Sequence, residues 1–263
     1  MTTAAFFDLD KTIIARSSAL AFTTPFAKAG LLTKRSLLRG LLEQTLFTLG
    51  GADHEKTERL RLQLSKMVAG WSTEQVREIV QETLHQFIEP IIYAEAADLI
   101  DEHHRNGRDV VIVSSSALEI VEPIGRMLGV EGIIATRLKS LDGHYTGEIE
   151  YYAYAETKAT AVRELAERKG YDLTQCFAYS DSSTDIPMLE TVGFPFVVNP
   201  DLSLRKVAVA RGWGICSFRR TVPLRDRYQF EKPEIATAAT ALGVTAIGLL
   251  AVAIVRKRKR HAS

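Results

Sequence analysis

The chain has 263 residues, with 33 Lys and Arg against 32 Asp and Glu, for a formal net charge of +1. So even a balance gives no field to attract nucleic acid, and 46% hydrophobic with 25% charged residues is the composition of a folded protein, not a disordered one. Cys176 and Cys216 sit in no paired motif and the N-terminus has no basic segment leading into an apolar one, so no signal peptide is expected, the bulk is expected in the cytoplasm, and both thiols are expected reduced.

Residues 4–8, AAFFD, read as a short buried strand entering a polar turn. From 15 to 105 the pattern is almost wholly helical, with apolar residues three and four apart in SLLRGLLEQTLFTL and again in EQVREIVQETLHQFI. The span is long enough for a helical subdomain of its own. Within it, His103 and His104 lie on a charged helical stretch and are expected at a solvated surface, not as zinc ligands. RDVVIVSSS follows, a β-branched run ending in small polar residues, and then a helix, ALEIVEPIGRML. GIIATRL is a strand, and Leu141-Asp142-Gly143-His144 is a turn before Tyr145–Ile149. A helix over 156–169 leads to CFAYSDS, a strand ending in acids and serines, and PFVVNP repeats the form. Strand then helix, several times over, implies an α/β fold with a parallel sheet. Ile235 to Val255 carries no charge, and at ~1.5 Å per residue roughly matches the ~30 Å of a bilayer core, so a transmembrane helix is expected there. An interfacial helix with its basic tail on anionic lipid and a soluble helix packed on the protein are the alternatives.

Ligands in such sheets bind beyond the carboxyl ends of the strands. Three strand ends carry chemistry: Asp8-Leu9-Asp10-Lys11-Thr12, Ser114-Ser115-Ser116, and Ser180-Asp181-Ser182-Ser183-Thr184-Asp185. Lys158 opens the helix between the second and third. Four acids, several hydroxyls and a lysine in one crevice suit phosphoryl transfer, which needs charge neutralised and a nucleophile in line. A carboxylate can be that nucleophile, giving an aspartyl-phosphate. It repels a phosphate dianion, so a cation must lie between them, and Mg²⁺ prefers such oxygen ligands. A second carboxylate two residues on can protonate the leaving alcohol and then activate water.

These four segments in order resemble the haloacid dehalogenase superfamily of phosphohydrolases, in the branch containing phosphoserine phosphatase-like enzymes. FFDLDKTII is similar to its first motif, VIVSSS to the second, Lys158 to the third and AYSDSSTDIPML to the fourth, and the likeness runs from about residue 4 to 218. The resemblance implies a Rossmann-like core over 1–14 and 106–218, an inserted all-helical cap over 15–105, and beyond them a basic linker at 219–234, the apolar helix at 235–255 and a basic tail at 256–263. It implies Asp8 as nucleophile and magnesium ligand, and Asp10 as general acid/base, with its backbone carbonyl a second ligand. Asp181 becomes the third protein ligand, and Asp185 orients the metal waters or Lys158. Ser114, with Ser115 beside it, and Lys158 become phosphoryl binders, while Thr12 positions Asp10 and shapes the turn.

Two departures bear on the substrate. Phosphoserine phosphatases carry a glutamate shortly after the first motif, where this chain reads Ala15-Arg16-Ser17-Ser18, and glycines where it has Ser115 and Ser116. The expectation is therefore a small or lipid-derived phosphomonoester other than free phosphoserine. Arg16, on the cap side, would favour a substrate with a second anionic group. Phosphoserine hydrolysis, phosphotransfer to an alcohol, and a membrane-tethered binding protein with a vestigial site are the alternatives.

Overall fold

Among the described residues, seven strands form a single sheet in the order β4-β3-β2-β1-β5-β6-β7. They are β1 (Ala4–Phe7), β2 (Asp109–Ala117), β3 (Gly132–Leu141), β4 (His144–Tyr151), β5 (Phe177–Ser180), β6 (Phe194–Val198) and β7 (Gly214–Cys216). All neighbours pair in parallel except β3 and β4. The computed structural model describes residues 2–32 and 65–221. Among the described residues no helix is long and apolar enough to cross a membrane. The expected apolar helix at 235–255 and the SLLRGLLEQTLFTL stretch lie outside them.

The described helices are α1 (Ser18–Ala21), α2 (Thr23–Lys28), α3 (Thr73–Phe87), α4 (Ala94–Arg105), α5 (Leu118–Leu128), α6 (Glu156–Lys169), α7 (Ile186–Leu189) and α8 (Leu202–Arg211). β1 is buried throughout because both its faces are covered. Ala4 and Phe6 join Val111, Val113 and Ala178 in a core closed by Val162 of α6, Met188 of α7 and Leu204 of α8. On the other face Phe7 stacks on Tyr179, ring centres 4.3 Å apart, and meets the edge of His103 from α4.

His103 corrects the expectation of a solvated histidine. It is buried, its Nδ1 accepts from Arg108 at 3.3 Å, and its Nε2 is 3.0 Å from the Tyr179 hydroxyl. Burial, then the charges of Arg108 and His104, pulls its pKa down to about 4. A neutral ring is what this apolar setting requires. The chain leaves the sheet through Ile13–Ala15 and returns through Ile91–Tyr93. These two segments pair antiparallel, with Ala15 N–H donating to Ile91 O at 2.7 Å and Tyr93 N–H to Ile13 O at 2.9 Å. Where the sequence reading carried the helical insertion to residue 105, α4 thus lies after this return and against β2.

The β3–β4 turn forms at the Asp-Gly signal, both residues at positive φ (Asp142 49°, Gly143 76°), as the tightest hairpins demand. β4 then receives the segment before α3: Tyr145 N–H donates to Trp71 O at 3.0 Å and Gly70 N–H to Tyr145 O at 2.8 Å. Ser72 caps α3, its hydroxyl accepting from Gln75 N–H at 3.3 Å. From β1 the chain builds one half of the sheet outward through β2 to β4, then returns to β5 on the other side of β1. The crevice beyond the ends of β1 and β5 is therefore the topological switch point.

Candidate active site

Asp8 is the first residue past β1, and its N–H donates to Tyr179 O at 2.9 Å, tying the two strand ends together. The chain then turns sharply. Thr12, Ile13 and Ile14 all donate backbone N–H groups to Leu9 O, at 3.3, 2.9 and 3.1 Å. Lys11 takes a left-handed conformation, φ 61°, which a side chain adopts only where surroundings impose it. The turn keeps both carboxyls, Asp8 and Asp10, at the mouth of the crevice.

Lys158, in the first turn of α6, reaches into the same place and is 2% exposed. Its Nζ donates to Asp8 Oδ1 at 2.7 Å and to Asp185 Oδ2 at 2.8 Å. Ser180, the last residue of β5, donates its hydroxyl to that same Asp185 oxygen at 2.8 Å. The other oxygen of Asp185, Oδ1, is buried with no hydrogen-bond partner. Burial pushes Asp8 up to about 8; Lys158 opposes this, while Asp185 and Asp181 reinforce it. Asp181 is pushed up to about 6, by burial first, with Lys11 opposing and Asp185 reinforcing. Burial would pull Lys158 down, but Asp185 and Asp8 together hold it above the ordinary lysine range. Carboxylates outnumber the buried cation.

Asp10 is held elsewhere. Its Oδ1 accepts from Ser18 N–H at 2.8 Å and its Oδ2 from the Ser116 hydroxyl at 3.2 Å. Burial raises its pKa, and the bonds from Ser18 and Ser116 work against that. Ser114 is buried and its Oγ accepts from Ser116 N–H at 3.1 Å. Ser115 is exposed, with its carbonyl accepting from Thr136 at 2.7 Å. The Thr12 hydroxyl is buried without a partner, so the grip on Asp10 expected of Thr12 comes from Ser18 and Ser116, while Thr12 contributes its N–H to the turn. Arg16 is exposed, just past the outgoing segment Ile13–Ala15.

The structure thus brings Asp8, Lys158 and Asp185 into direct contact and puts Asp10 beside the Ser114–Ser116 segment. Ser18, Ser116 and Ser180 carry hydrogen bonds that no sequence motif had assigned. The oxygens of Asp8, Asp181 and Asp185 suit a hard cation, and the unpartnered Asp185 oxygen is a free donor to one. No grouping of three or more His, Cys, Asp or Glu side chains spaced as metal ligands occurs among the described residues. A hard cation here would need further oxygen ligands beyond these side chains.

Residues 5–190 match the family model of haloacid dehalogenase-like hydrolases. The chain is 55% identical over 254 residues to an "inhibition of morphological differentiation protein" of Streptomyces azureus, covering 94% of this chain and 92% of that one. It is 52% identical over 257 residues to a probable phosphatase of Mycobacterium tuberculosis, covering 97% and 90%. A phosphoserine phosphatase of the same organism is 35% identical over 221 residues, covering 83% and 72%. Among solved structures, a Bordetella pertussis protein of unknown function superposes with TM-score 0.73 at 28% identity, covering 82% of this chain and 99% of that one. A phospho-aspartyl intermediate analogue of phosphoserine phosphatase, at 19% identity, shares the fold with TM-score 0.62, covering 88% and 99%. The chain belongs to the haloacid dehalogenase-like hydrolase family. Within that family it is a phosphatase.

Proposed function

We propose that the chain hydrolyses a phosphomonoester through an aspartyl-phosphate on Asp8, with Mg²⁺ bound among Asp8, Asp181, Asp185 and the Asp10 carbonyl. The observation that carries this reading is the buried Lys158, whose ammonium holds one oxygen of Asp8 at 2.7 Å. That contact fixes the carboxylate at a strand end and leaves its other oxygen to attack. Mg²⁺, when bound, lowers the repulsion between the carboxylates and a phosphate dianion. Lys158 and Ser114 bind phosphoryl oxygens, and the start of α5 just beyond Ser116 adds backbone N–H groups of the kind that hold anions. Asp10 gives its proton to the departing alcohol and afterwards takes one from the attacking water. Replacing Asp8 with Asn removes the nucleophile with little change in shape. Loss of phosphate release from p-nitrophenyl phosphate in D8N supports the reading, and undiminished release would favour a binding protein with a vestigial site.

For the substrate, the absence of an acid in Ala15–Ser18 speaks for a small or lipid-derived phosphomonoester other than phosphoserine. The relative named phosphoserine phosphatase supports that ester as the second reading. Release of phosphate from a panel of amino-acid, sugar, nucleotide and lipid phosphates separates them, and an added acceptor alcohol distinguishes hydrolysis from phosphotransfer. The uncharged Ile235–Val255 stretch, followed by Arg256 to Arg260, supports a membrane tether for the catalytic domain. Cells expressing the full chain and a form ending at Glu234 test this by fractionation. Equal solubility of the two would remove the tether and with it the case for a lipid substrate.

A further inference from the structure

Asp10 is gripped from two directions. Ser18 opens α1, beyond the outgoing strand Ile13–Ala15, and donates its N–H to Oδ1 at 2.8 Å. Ser116 lies near the end of β2 and donates its hydroxyl to Oδ2 at 3.2 Å. The two serine hydroxyls are themselves hydrogen-bonded at 2.8 Å, and Ser116 N–H bonds to Ser114 Oγ at 3.1 Å. Ser116 therefore joins the second carboxyl and Ser18 through its hydroxyl, and Ser114 through its N–H.

The two contacts on Asp10 are not equivalent. A backbone N–H only donates, so Oδ1 stays free of a proton while that bond is made. The Ser116 hydroxyl makes the longer bond, 3.2 Å, and as donor to one lone pair of Oδ2 it leaves the other for a proton directed away from it. Oδ2 is then the oxygen that carries the proton, and Ser116 fixes where it points. Without that hydroxyl the carboxyl would be held from the Ser18 side alone.

We propose that Ser116 is a positioning residue, aiming Oδ2 of Asp10 at the leaving oxygen of the substrate, with Ser18 as its partner. This rests on the reading of Asp10 as general acid/base. In the first step a bond forms between an Asp8 oxygen and phosphorus as the ester P–O bond breaks, and the Oδ2 proton passes to the departing oxygen. In the second, water oxygen bonds to phosphorus, the Asp8–phosphorus bond breaks, and a proton from water returns to Oδ2. Misplacement of a reacting group by an ångström costs of order 10²-fold in rate, and the cost falls on esters whose leaving group needs the proton.

The experiment compares kcat/KM for phenyl phosphate and p-nitrophenyl phosphate in the full chain with Mg²⁺, for wild type, S116A, S116T and D10N. Phenolate leaves poorly without a proton, whereas p-nitrophenolate needs little help. S116A is expected to lose about tenfold or more on phenyl phosphate but less than about threefold on p-nitrophenyl phosphate, a part of what a general acid supplies. S116T, which keeps the hydroxyl, is expected to restore most of the loss. The ratio of the two substrates does not depend on how much of a variant is folded. Equal losses of S116A on both substrates, or no loss, would overturn the proposal while leaving Asp10 in its role if D10N shows the leaving-group dependence. A D10N variant without that dependence would overturn the reading of Asp10 itself, and the proposal with it.

Discussion

Lys158 and Asp8 meet at 2.7 Å although 150 residues separate them in the chain. The same ammonium lies 2.8 Å from Asp185, so one buried cation closes the switch point between β1 and β5. Both contacts are nearly sealed from water, where an ion pair is held by its geometry and becomes costly once one partner is removed.

Lys158→Met should destabilise the fold by about 3–5 kcal/mol at pH 8, because it leaves the buried Asp185 carboxylate, and whatever part of Asp8 is ionised, without a counter-charge. Urea denaturation measures this. The share of the loss that comes from Asp8 should vanish toward pH 5, where that carboxyl is protonated with or without Lys158. A variant as stable as the wild type at pH 8 would show that the buried pair does not matter to stability.

Mg²⁺ should raise the melting temperature, by as much as the equivalent of ~2.7 kcal/mol at a hundred times its dissociation constant. Asp8 and Asp181 are raised to about 8 and about 6, and a cation binds their ionised forms. Protons therefore compete with it below those values, and the shift should be larger at pH 8 than at pH 6. Asp181→Asn should reduce the shift at both. A shift independent of pH would argue against these carboxylates as ligands.

His103 makes a separate prediction about stability. Its pKa falls from the ordinary 6.5 to about 4 on folding. Between those values the unfolded state binds more protons, so stability is full above pH 6.5 and declines as pH falls toward 4. His103→Gln removes the titrating ring from beside Tyr179, so its stability, read by thermal melts, should fall less steeply across that window. An unchanged slope would show that other groups set the acid limit.

Much of the crevice was legible because each motif sits where a strand or helix ends, and the sheet order makes those ends converge. The Asp142-Gly143 turn was legible for a similar reason: few residues other than glycine or Asp and Asn accept positive φ. The bonds that hold Asp10 were not, since Ser116 is 106 residues from it in sequence and the hydroxyls of SSS look alike. His103 misled because its neighbours are charged. Yet it stands three residues after the buried Ile100 and seven after the buried Ala96, on the apolar stripe of α4, and that spacing marks a core position. The packing of α4 against β2 was hidden too, because it reads as a helix whatever it packs on.

The most direct measurement is a rapid acid quench of the wild type during turnover of p-nitrophenyl phosphate, with mass spectrometry of the peptide carrying Asp8. A phosphate adduct on that peptide, absent in Asp8→Asn, is the predicted result. Steady turnover with no adduct at Asp8, or turnover by Asp8→Asn at the wild-type rate, would contradict the aspartyl-phosphate mechanism.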